Sequence, residues 1–285
     1  MKLETGNWKR ETADCGPKPS FKFQVSSFDT PLVRPQRTKR SPNLGPLAVM
    51  VSTQTDVAAL DRQLGLEPAA SRSLFISRLY PDSEGRLGFA LCGPVIGAPY
   101  AVMVLETLAA WGARQIVFAG WCGSLCPQVA IGDIVLASGA FIDEGTSLHY
   151  AGRRGQEALP SESLTAGLRR QLVSSGICVH PGRLWSTDGV FRETRRRVTH
   201  FRRKGALAVE MEAAALFTAG RFLGLEVAAL AVVSDTLAGL TWQPGFKTAA
   251  FQRGRENLMV VIQSLASINS DYSNGLGRSD FPLRP

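Results

Sequence analysis

Apolar strand-like segments that alternate with helical segments predict an α/β protein with a mainly parallel or mixed central sheet. Segments rich in Val, Ile, Leu and Ala recur along the chain, for example PLAVMVS (46–52) and LEVAALAVVSD (225–235). Strands of this kind are buried on both faces, as in a sheet covered by helices. The segments between them have helical spacing and helix-boundary residues, such as Pro99 in a first turn and Gly112 at an end. These observations together favour helices packed on a central sheet.

The elements follow in order along the chain. Residues 74–80 and 87–93 flank the turn-rich hexamer PDSEGR and predict a hairpin. The other predicted strands are 46–52, 115–120, 133–142, 182–187, 206–211 and 225–235, and the predicted helices are 98–112, 161–176, 212–224 and roughly 246–267. No internal repeat is evident.

Composition excludes several classes of protein. The chain has 285 residues, of which 45% are hydrophobic and 20% charged, so general disorder is excluded. No stretch approaches the ~20 consecutive apolar residues of a membrane-spanning helix, and the first residues lack the apolar run of a signal peptide. We expect a soluble, cytoplasmic protein that does not bind membranes.

Most of the net charge of +8 lies in residues 1–45, which hold nine Lys or Arg and four Asp or Glu. We predict a basic, Pro-rich, disordered leader over 1–45, one catalytic-looking domain over 46–268 and a C-terminal tail over 269–285. The leader is interpreted as solvated, with contact to a polyanion as the alternative. A nucleic-acid partner is not expected.

Cysteine usage gives little indication of function. The five cysteines are an odd number, which disfavours a disulfide framework. Cys122 and Cys126 are four apart, but no second cysteine pair follows and the chain has only three His. A structural zinc site is therefore not expected, and no metal is predicted.

Ligands of open α/β sheets bind beyond the carboxyl ends of the strands. That rule selects four segments: 52–56, 120–124, 187–192 and 234–236. In the second segment, Gly120 and Gly123 would let a turning backbone bring its N–H groups close to an anion, although a tight turn without a ligand explains them equally. It is not a P-loop, because no Gly-Lys-Ser/Thr follows.

Two further segments place carboxylates at strand ends. Glu210 and Glu212 in VEMEAAA cannot share one helical face, so one of them should point into the cleft, where it could accept both hydroxyls of a ribose. Alternatively, Glu212 is only a favourable charge at a helix N-terminus. Asp235 ends an apolar strand, where partial burial would raise its pKa and make it a proton donor. An Asx-turn or a helix cap would also explain Asp235.

Two polar segments have weaker signals. DEGTSLHY (143–150) contains Ser, His and Asp, but no Gly-x-Ser-x-Gly elbow is present, so acyl transfer is not expected. The arginine-rich run that begins at Arg192 is interpreted as a solvated basic helix face, with a phosphate contact from Arg192 as the alternative.

The order of these segments resembles that of the nucleoside phosphorylase/nucleosidase superfamily. The segments are Gly120–Leu125, IGDIVL (131–136), DEGTSLHY, STDGVFRE (186–193), VEMEAAALF (209–217) and VVSDT (232–236). The resemblance covers residues 46–268. It implies a three-layer α/β/α fold with a mixed, partly barrel-like sheet. It also implies homo-oligomers and cleavage of an N-ribosidic bond without a cofactor.

The resemblance further implies roles for individual residues. Glu212 would bind the ribose hydroxyls, Met211 would pack against the sugar, and Asp235 would protonate the leaving base. The residues implied on the phosphate or water side are Gly120, Trp121, Cys122, Gly123, Ser52, Asp56 and Arg192, and those beside the base are Thr187, Asp188, Phe191 and Ser234.

The phosphate side departs from the superfamily pattern. Phosphorylases of this superfamily have an arginine before the glycine turn, whereas this chain has Phe118 and Ala119 there and Trp121 inside. Asp56 falls where the nucleosidases have a water-activating glutamate. We expect a nucleoside phosphorylase that forms ribose 1-phosphate, with a purine favoured over uridine. The alternatives are a hydrolytic nucleosidase, a uridine phosphorylase and, less favoured, a nucleoside-binding relative without activity.

Overall fold

A computed structural model describes residues 31–82 and 85–275, and within them the chain forms eleven strands and six helices. The strands are β1 (Leu47–Val51), β2 (Arg72–Leu74), β3 (Ser77–Tyr80), β4 (Ala90–Gly93), β5 (Gln115–Ser124), β6 (Ile134–Ile142), β7 (Glu157–Ala158), β8 (Val179–Ser186), β9 (Ala206–Glu210), β10 (Glu226–Thr236) and β11 (Gln243–Pro244). The helices are α1 (Gln54–Gln63), α2 (Ala98–Ala110), α3 (Glu162–Ser174), α4 (Arg195–Arg203), α5 (Ala213–Leu223) and α6 (Ala249–Gly275).

The eleven strands form one mixed sheet, in which ten follow the order β11-β10-β6-β8-β9-β5-β1-β4-β3-β2 and β7 pairs with β6 off this path. Strand β10 pairs with β6 in antiparallel fashion on one side and with β5 in parallel fashion on the other. Because β5 also pairs with β9, the five strands β10, β6, β8, β9 and β5 close into a ring. The mixed, partly barrel-like α/β sheet implied by the resemblance is therefore confirmed.

Helices cover both faces of the sheet, which gives the three layers. On one face, α2 and α5 contribute to a buried apolar cluster that includes Leu105 and Phe217. On the other face, α1, α3 and α6 contribute to a second cluster that includes Leu60, Leu168 and Phe251. All five residues of β1 are buried, as expected for a strand with helices on both sides.

Two strand predictions need correction. The predicted strand 74–80 contains a turn, because Phe75 has a φ of 55° and separates β2 from β3. The hairpin with 87–93 is nevertheless present, since β3 pairs with β4 in antiparallel fashion. The strand predicted to end at residue 120 runs on to 124, because β10 and β9 supply partners for the extra residues.

Two helix boundaries also differ from the prediction. Helix α1 starts directly after β1, where only a strand exit was predicted, and the Thr53 side chain accepts a hydrogen bond from the Asp56 N–H to cap it. The terminal helix begins at residue 249 rather than 246 and continues to residue 275.

Part of the predicted leader lies on the domain. Leu44 is buried, and its N–H donates to the Trp111 carbonyl. The Trp111 indole in turn donates to the carbonyl of Gln36 at 3.1 Å. The rest of the predicted leader, residues 1–30, and the last ten residues of the predicted tail, 276–285, lie outside the described residues.

No helix within residues 31–82 and 85–275 combines the length and the apolar character needed to cross a bilayer.

Candidate active site

Adjacent strand ends gather the predicted site residues. Strand β5 pairs with β1 and β10 in parallel, so their carboxyl ends lie at one edge of the sheet. Gly123 lies opposite Asp235 of β10 and opposite Val209 of β9. The predicted acid, the glycine segment and the strand that leads to Glu212 therefore meet at the end of β5.

The glycines of β5 permit close approaches. A Cβ atom on Gly123 would lie 3.0 Å from Asp235 Oδ2, and one on Gly120 would lie 2.9 Å from the Phe118 ring. The predicted tight turn at 120–124 is therefore wrong: these residues are strand, and the missing side chains make room for a carboxylate and an aromatic ring. Cys122 points into the core, where burial raises the pKa of its thiol well above the usual value.

Asp235 lies half-buried at the end of β10. Its Oδ1 accepts a hydrogen bond from the Ser234 hydroxyl at 2.6 Å, and its Oδ2 accepts one from the Trp242 indole at 2.9 Å. Burial raises the pKa of Asp235, and these two hydrogen bonds partly oppose the shift. A carboxyl group with a raised pKa at a cleft is suited to donate a proton to a leaving base.

Glu193 is a second carboxyl group with a raised pKa, and no sequence motif pointed to it. It follows a short 3-10 turn, residues 190–192, after β8. Burial and the charge of Asp235 raise the pKa of Glu193 to about 7, although Arg197 opposes the shift. Two carboxyl groups that interact in this way disfavour double ionisation.

Glu212 is buried at the start of α5 and faces the loop before α2. Its Oε1 accepts a hydrogen bond from the Gly97 N–H at 2.5 Å. Burial raises the pKa of Glu212 to about 8, with a further contribution from the charge of Glu210. Glu212 makes no side-chain cap hydrogen bond to α5, so the alternative of a simple helix-end charge does not describe it.

Glu210 caps the helix instead. Its Oε2 accepts hydrogen bonds from the N–H groups of Glu212 and Ala213, both at 2.7 Å. Its Oε1 accepts a hydrogen bond from the Ser186 hydroxyl, which itself accepts one from the Ala214 N–H. As expected from their spacing, the two carboxylates of VEMEAAA point in different directions, and Glu210 fixes the backbone that presents Glu212.

Met211 lies between these two glutamates and is partly exposed. Its N–H group is one of two backbone donors that lower the pKa of Glu212, the other being that of Gly97. The position next to Glu212 is the one that the resemblance assigns to a sugar contact.

On the other side of β5 from Asp235, the segment after β1 contacts Trp121 of β5. The Asp56 carboxylate accepts a hydrogen bond from the Trp121 indole at 2.6 Å and forms an ion pair with Arg255 of α6 at 2.6 Å. Ser52 is also buried here, and its hydroxyl has no hydrogen-bond partner in the part of the chain that the structure describes. Buried hydroxyl groups without a partner are uncommon in folded proteins.

The predicted base-side residues follow β8, except for Ser234 on β10. Thr187 is buried, and its hydroxyl accepts hydrogen bonds from the Gly189 N–H and from Arg197. Asp188 accepts a hydrogen bond from the Gly145 N–H at 2.8 Å, which ties this turn to the segment 143–150. Phe191 is 97% exposed, so it is free to contact a ligand.

Arg192 lies beside Phe191 in the 3-10 turn after β8, and its side chain is exposed. This places its backbone with the predicted base-side residues rather than after β1 with Ser52 and Asp56. The cation that lies beside Asp56 is Arg255, from a helix near the end of the domain.

Besides Glu193, three residues that shape this site were not found from the sequence. Arg255 is 199 positions from Asp56, so no local motif links them. Trp242 lies in a loop seven residues after Asp235, and Gly97 contributes only its backbone N–H. For Arg255, the one signal was its position on the apolar side of the predicted terminal helix. A buried arginine requires a charged or polar partner, so this position indicates a contact without naming the partner.

A family model identifies the class of protein to which this fold belongs, the Phosphorylase superfamily. Residues 46–267 match the model of that family, so the chain belongs to it.

Several named relatives share part of the sequence. The guanosine phosphorylase of Halorubrum lacusprofundi is 31% identical over 52% of this chain and 61% of its own length, so the chain spans about three-fifths of that relative. The uridine phosphorylase of Thermococcus kodakarensis is 31% identical over 63% of this chain and 71% of its own length. A DeoD-type purine nucleoside phosphorylase of Caldanaerobacter subterraneus is 28% identical over 56% and 74%, respectively.

Solved structures confirm the fold. The purine nucleoside phosphorylase of Toxoplasma gondii superposes with a TM-score of 0.68 at 17% identity, covering 83% of this chain and 99% of that one. The AMP nucleosidase of Bacteroides thetaiotaomicron gives a TM-score of 0.63 at 21% identity, with 81% and 91% covered. These likenesses show the architecture alone.

Proposed function

We propose that this protein cleaves the N-ribosidic bond of a nucleoside, with a purine as the favoured base. The observation that supports this most is the position of two carboxyl groups with raised pKa values. Asp235 lies near the end of β10 and Glu212 directly after β9, and both of these strands pair with Gly123 of β5. Asp235 is suited to give a proton to the base, and Glu212 to bind the ribose hydroxyls.

The chemistry follows from the charge that develops during cleavage. The sugar becomes cationic and oxocarbenium-like as the bond to the base breaks, and the base leaves with the electron pair. A proton from Asp235 neutralises the leaving base. The anionic form of Glu212, which is favoured once the cationic sugar lies beside it, stabilises the ribose in that state.

Two acceptors are candidates for the sugar. The names of the guanosine, uridine and purine nucleoside phosphorylases support phosphate, which would give ribose 1-phosphate. Water is the second candidate, because Asp56 occupies the position at which the resemblance implies a water-activating carboxylate. The preference for a purine rests on the Ser234–Asp235 pair and on the purine-acting relatives, while the uridine phosphorylase supports a pyrimidine as the alternative.

Base release from a panel of nucleosides tests the proposal. The protein is incubated with inosine, adenosine, methylthioadenosine and uridine, each with and without phosphate, and the free base is measured by chromatography. We expect release from at least one nucleoside, faster from the purines. Binding of the nucleosides without release of any base would contradict the proposal and support a binding protein that has lost the reaction.

A cytoplasmic location and assembly as a homo-oligomer complete the proposal. Both derive from the resemblance and from the soluble class that composition favours. Size-exclusion chromatography with light scattering tests the assembly, and a monomeric mass would contradict it.

A further inference from the structure

The segment that follows β8 carries three of the four predicted base-side residues and the carboxyl group of Glu193. We name residues 187–193 the β8 loop. Its apolar side chains pack little against the domain, because Val190 is 48% and Phe191 97% exposed. Burial of apolar surface therefore contributes little to the position of this loop, and polar contacts must hold it instead.

Arg197 of α4 supplies two of those polar contacts. Its Nη2 donates a hydrogen bond to the Thr187 hydroxyl at 3.4 Å, and its Nη1 donates one to the Arg192 carbonyl at 3.3 Å. These two acceptors lie near opposite ends of the β8 loop, and Phe191 lies between them in the chain. A single guanidinium therefore links both ends of the loop.

The remaining contacts of the Arg197 guanidinium fix it to the domain. Its Nη2 also donates to the Asp143 carboxylate, with which it forms an ion pair. The guanidinium carbon lies 5.1 Å from the centre of the ring of Trp185, which is buried and stacks on Phe201 at 4.5 Å between centroids. The Trp185 indole donates to the same Asp143 oxygen at 2.8 Å. Groups at the ends of β6 and β8 thus hold the cation from two sides.

Asp143 has partners besides Arg197, whereas the β8 loop has no such substitute. Arg154 Nη1 donates to the Asp143 carbonyl at 2.9 Å and to its Oδ1 at 3.4 Å. Loss of Arg197 would therefore leave Asp143 with a cation and an indole donor, so no buried charge would become unpaired. Within the described residues, no other side chain donates to the Thr187 hydroxyl or to the Arg192 carbonyl.

We propose that Arg197 is a positioning residue that holds the β8 loop in place for contact with the base of a bound nucleoside. This inference rests on the proposed function, because it assigns a residue that sets the affinity for the substrate of the same reaction. A loop that is already ordered loses less conformational freedom when the nucleoside binds, so the nucleoside binds more tightly.

Steady-state kinetics separate this role from a role in the chemical step. Arg197→Met removes the contacts to the β8 loop, and the loop then contributes less to binding of the substrate and of the transition state alike. We expect KM to rise by roughly tenfold or more, as for the loss of hydrogen bonds from a charged group, with kcat little changed. Asp235→Asn should show the opposite pattern, a lower kcat.

Two further variants separate positioning of the loop from stabilisation of the fold. Arg197→Lys retains a charge that can pair with Asp143, but an ammonium group lacks the fork that reaches the two loop acceptors. It should unfold at the same denaturant concentration as the wild type and still show a raised KM. Arg203→Met is the control, because Arg203 is exposed on the same helix and has no ion pair within the described residues; its KM should stay unchanged.

Hydrogen–deuterium exchange observes the loop without any substrate. Amides of the β8 loop should exchange faster in Arg197→Met than in the wild type, because the loop opens locally more often. Amides of β1 should exchange at the same rate in both proteins, which shows that the domain remains folded. Arg203→Met should match the wild type in both segments.

Three results would overturn the inference. The first is loop exchange in a folded Arg197→Met protein that equals exchange in Arg203→Met. The second is faster loop exchange with an unchanged KM, and the third is a lower kcat with an unchanged KM. If the wild type cleaves no nucleoside, the proposed function fails, and loop exchange alone then decides whether Arg197 holds the loop. If Arg197→Met does not fold, Arg197→Lys replaces it in both measurements.

Discussion

Two aspartates on either side of β5, Asp56 after β1 and Asp235 on β10, each accept a hydrogen bond from a tryptophan indole, but their surroundings differ. Asp56 accepts it from Trp121 at 2.6 Å and also pairs with Arg255. Asp235 accepts it from Trp242 at 2.9 Å, and within the described residues no cation pairs with it. The indole donor is common to both sites, so it is the guanidinium that distinguishes them.

The missing cation gives Asp235 a different chemistry. Burial without a positive partner raises the pKa of Asp235, and Glu193 adds a second carboxyl group nearby. A proton is therefore available on this side of the cleft. The Asp56 side holds a compensated negative charge that cannot be given up without leaving Arg255 unpaired. Asp235 is therefore suited to donate a proton, whereas Asp56 is held as a carboxylate in a buried ion pair.

Phe246 lies between the two sites. Its ring centre is 6.1 Å from that of Trp121 and 6.4 Å from that of Trp242. Both tryptophans thus contact the same segment, which precedes α6. The two halves of the site share packing but not charge, so substitutions can test each half separately.

The largest expected effect is on stability, from removal of the cation. Arg255→Met leaves the buried Asp56 without its charged partner, which should lower the free energy of unfolding by roughly 3–5 kcal/mol. Arg78→Met breaks the more exposed pair with Asp61, for which we expect a much smaller loss, because solvent screens an exposed ion pair. Denaturant unfolding of both variants measures the difference. Equal losses of unfolding free energy in the two variants would show that the Asp56–Arg255 ion pair stabilises the fold no more than the exposed Asp61–Arg78 pair does.

The next effect is on the rate of cleavage. Asp235→Asn removes the proton donor but retains the size of the side chain, and base release should slow by roughly 10²-fold or more. Asp61→Asn serves as the control for a general effect of losing one carboxylate. Single-turnover base release measures the step itself. An unchanged rate would show that Asp235 is not the acid, and Glu193 would then be the candidate proton donor.

The sequence predicted most of the architecture, because the periodicity of apolar residues is a local property. It placed Asp235 and Glu212 at strand ends and expected Glu210 and Glu212 to diverge, as they do. It did not predict that β5 continues past Gly120, since only the partners on β9 and β10 make residues 121–124 a strand.

The contacts that distinguish the two sides of the cleft could not be read from the sequence. Asp56 meets Arg255 only because α6 packs against α1 in the folded domain, and that pairing leaves no local spacing in the sequence. Trp242 reaches Asp235 from a loop whose path no periodicity describes. Local motifs therefore identified the carboxylates, and long-range packing determined what each carboxylate can do.

A pH dependence of stability tests the buried glutamate between the two sides. The pKa of Glu212 is raised from 4.5 to about 8 in the folded protein, so the unfolded chain releases the proton first. The free energy of unfolding should therefore fall as pH rises from about 4.5 to about 8. Glu212→Gln should flatten this dependence in thermal unfolding, whereas the exposed Glu162→Gln should not. Identical pH profiles for wild type and Glu212→Gln would contradict the raised pKa.

The smallest expected effect comes from the indole on the acid side. The Trp242 hydrogen bond lowers the pKa of Asp235, so Trp242→Phe should raise that pKa. A net contribution of about 1 kcal/mol for one hydrogen bond corresponds to less than one pH unit. When the rate of base release is plotted against pH, the decrease at high pH should shift to higher pH by that amount. The reason is that the acid stays protonated to higher pH. Trp121→Phe should leave this decrease in place, since its indole donates to Asp56; a shift in both variants would mean that the two sides of the cleft titrate together.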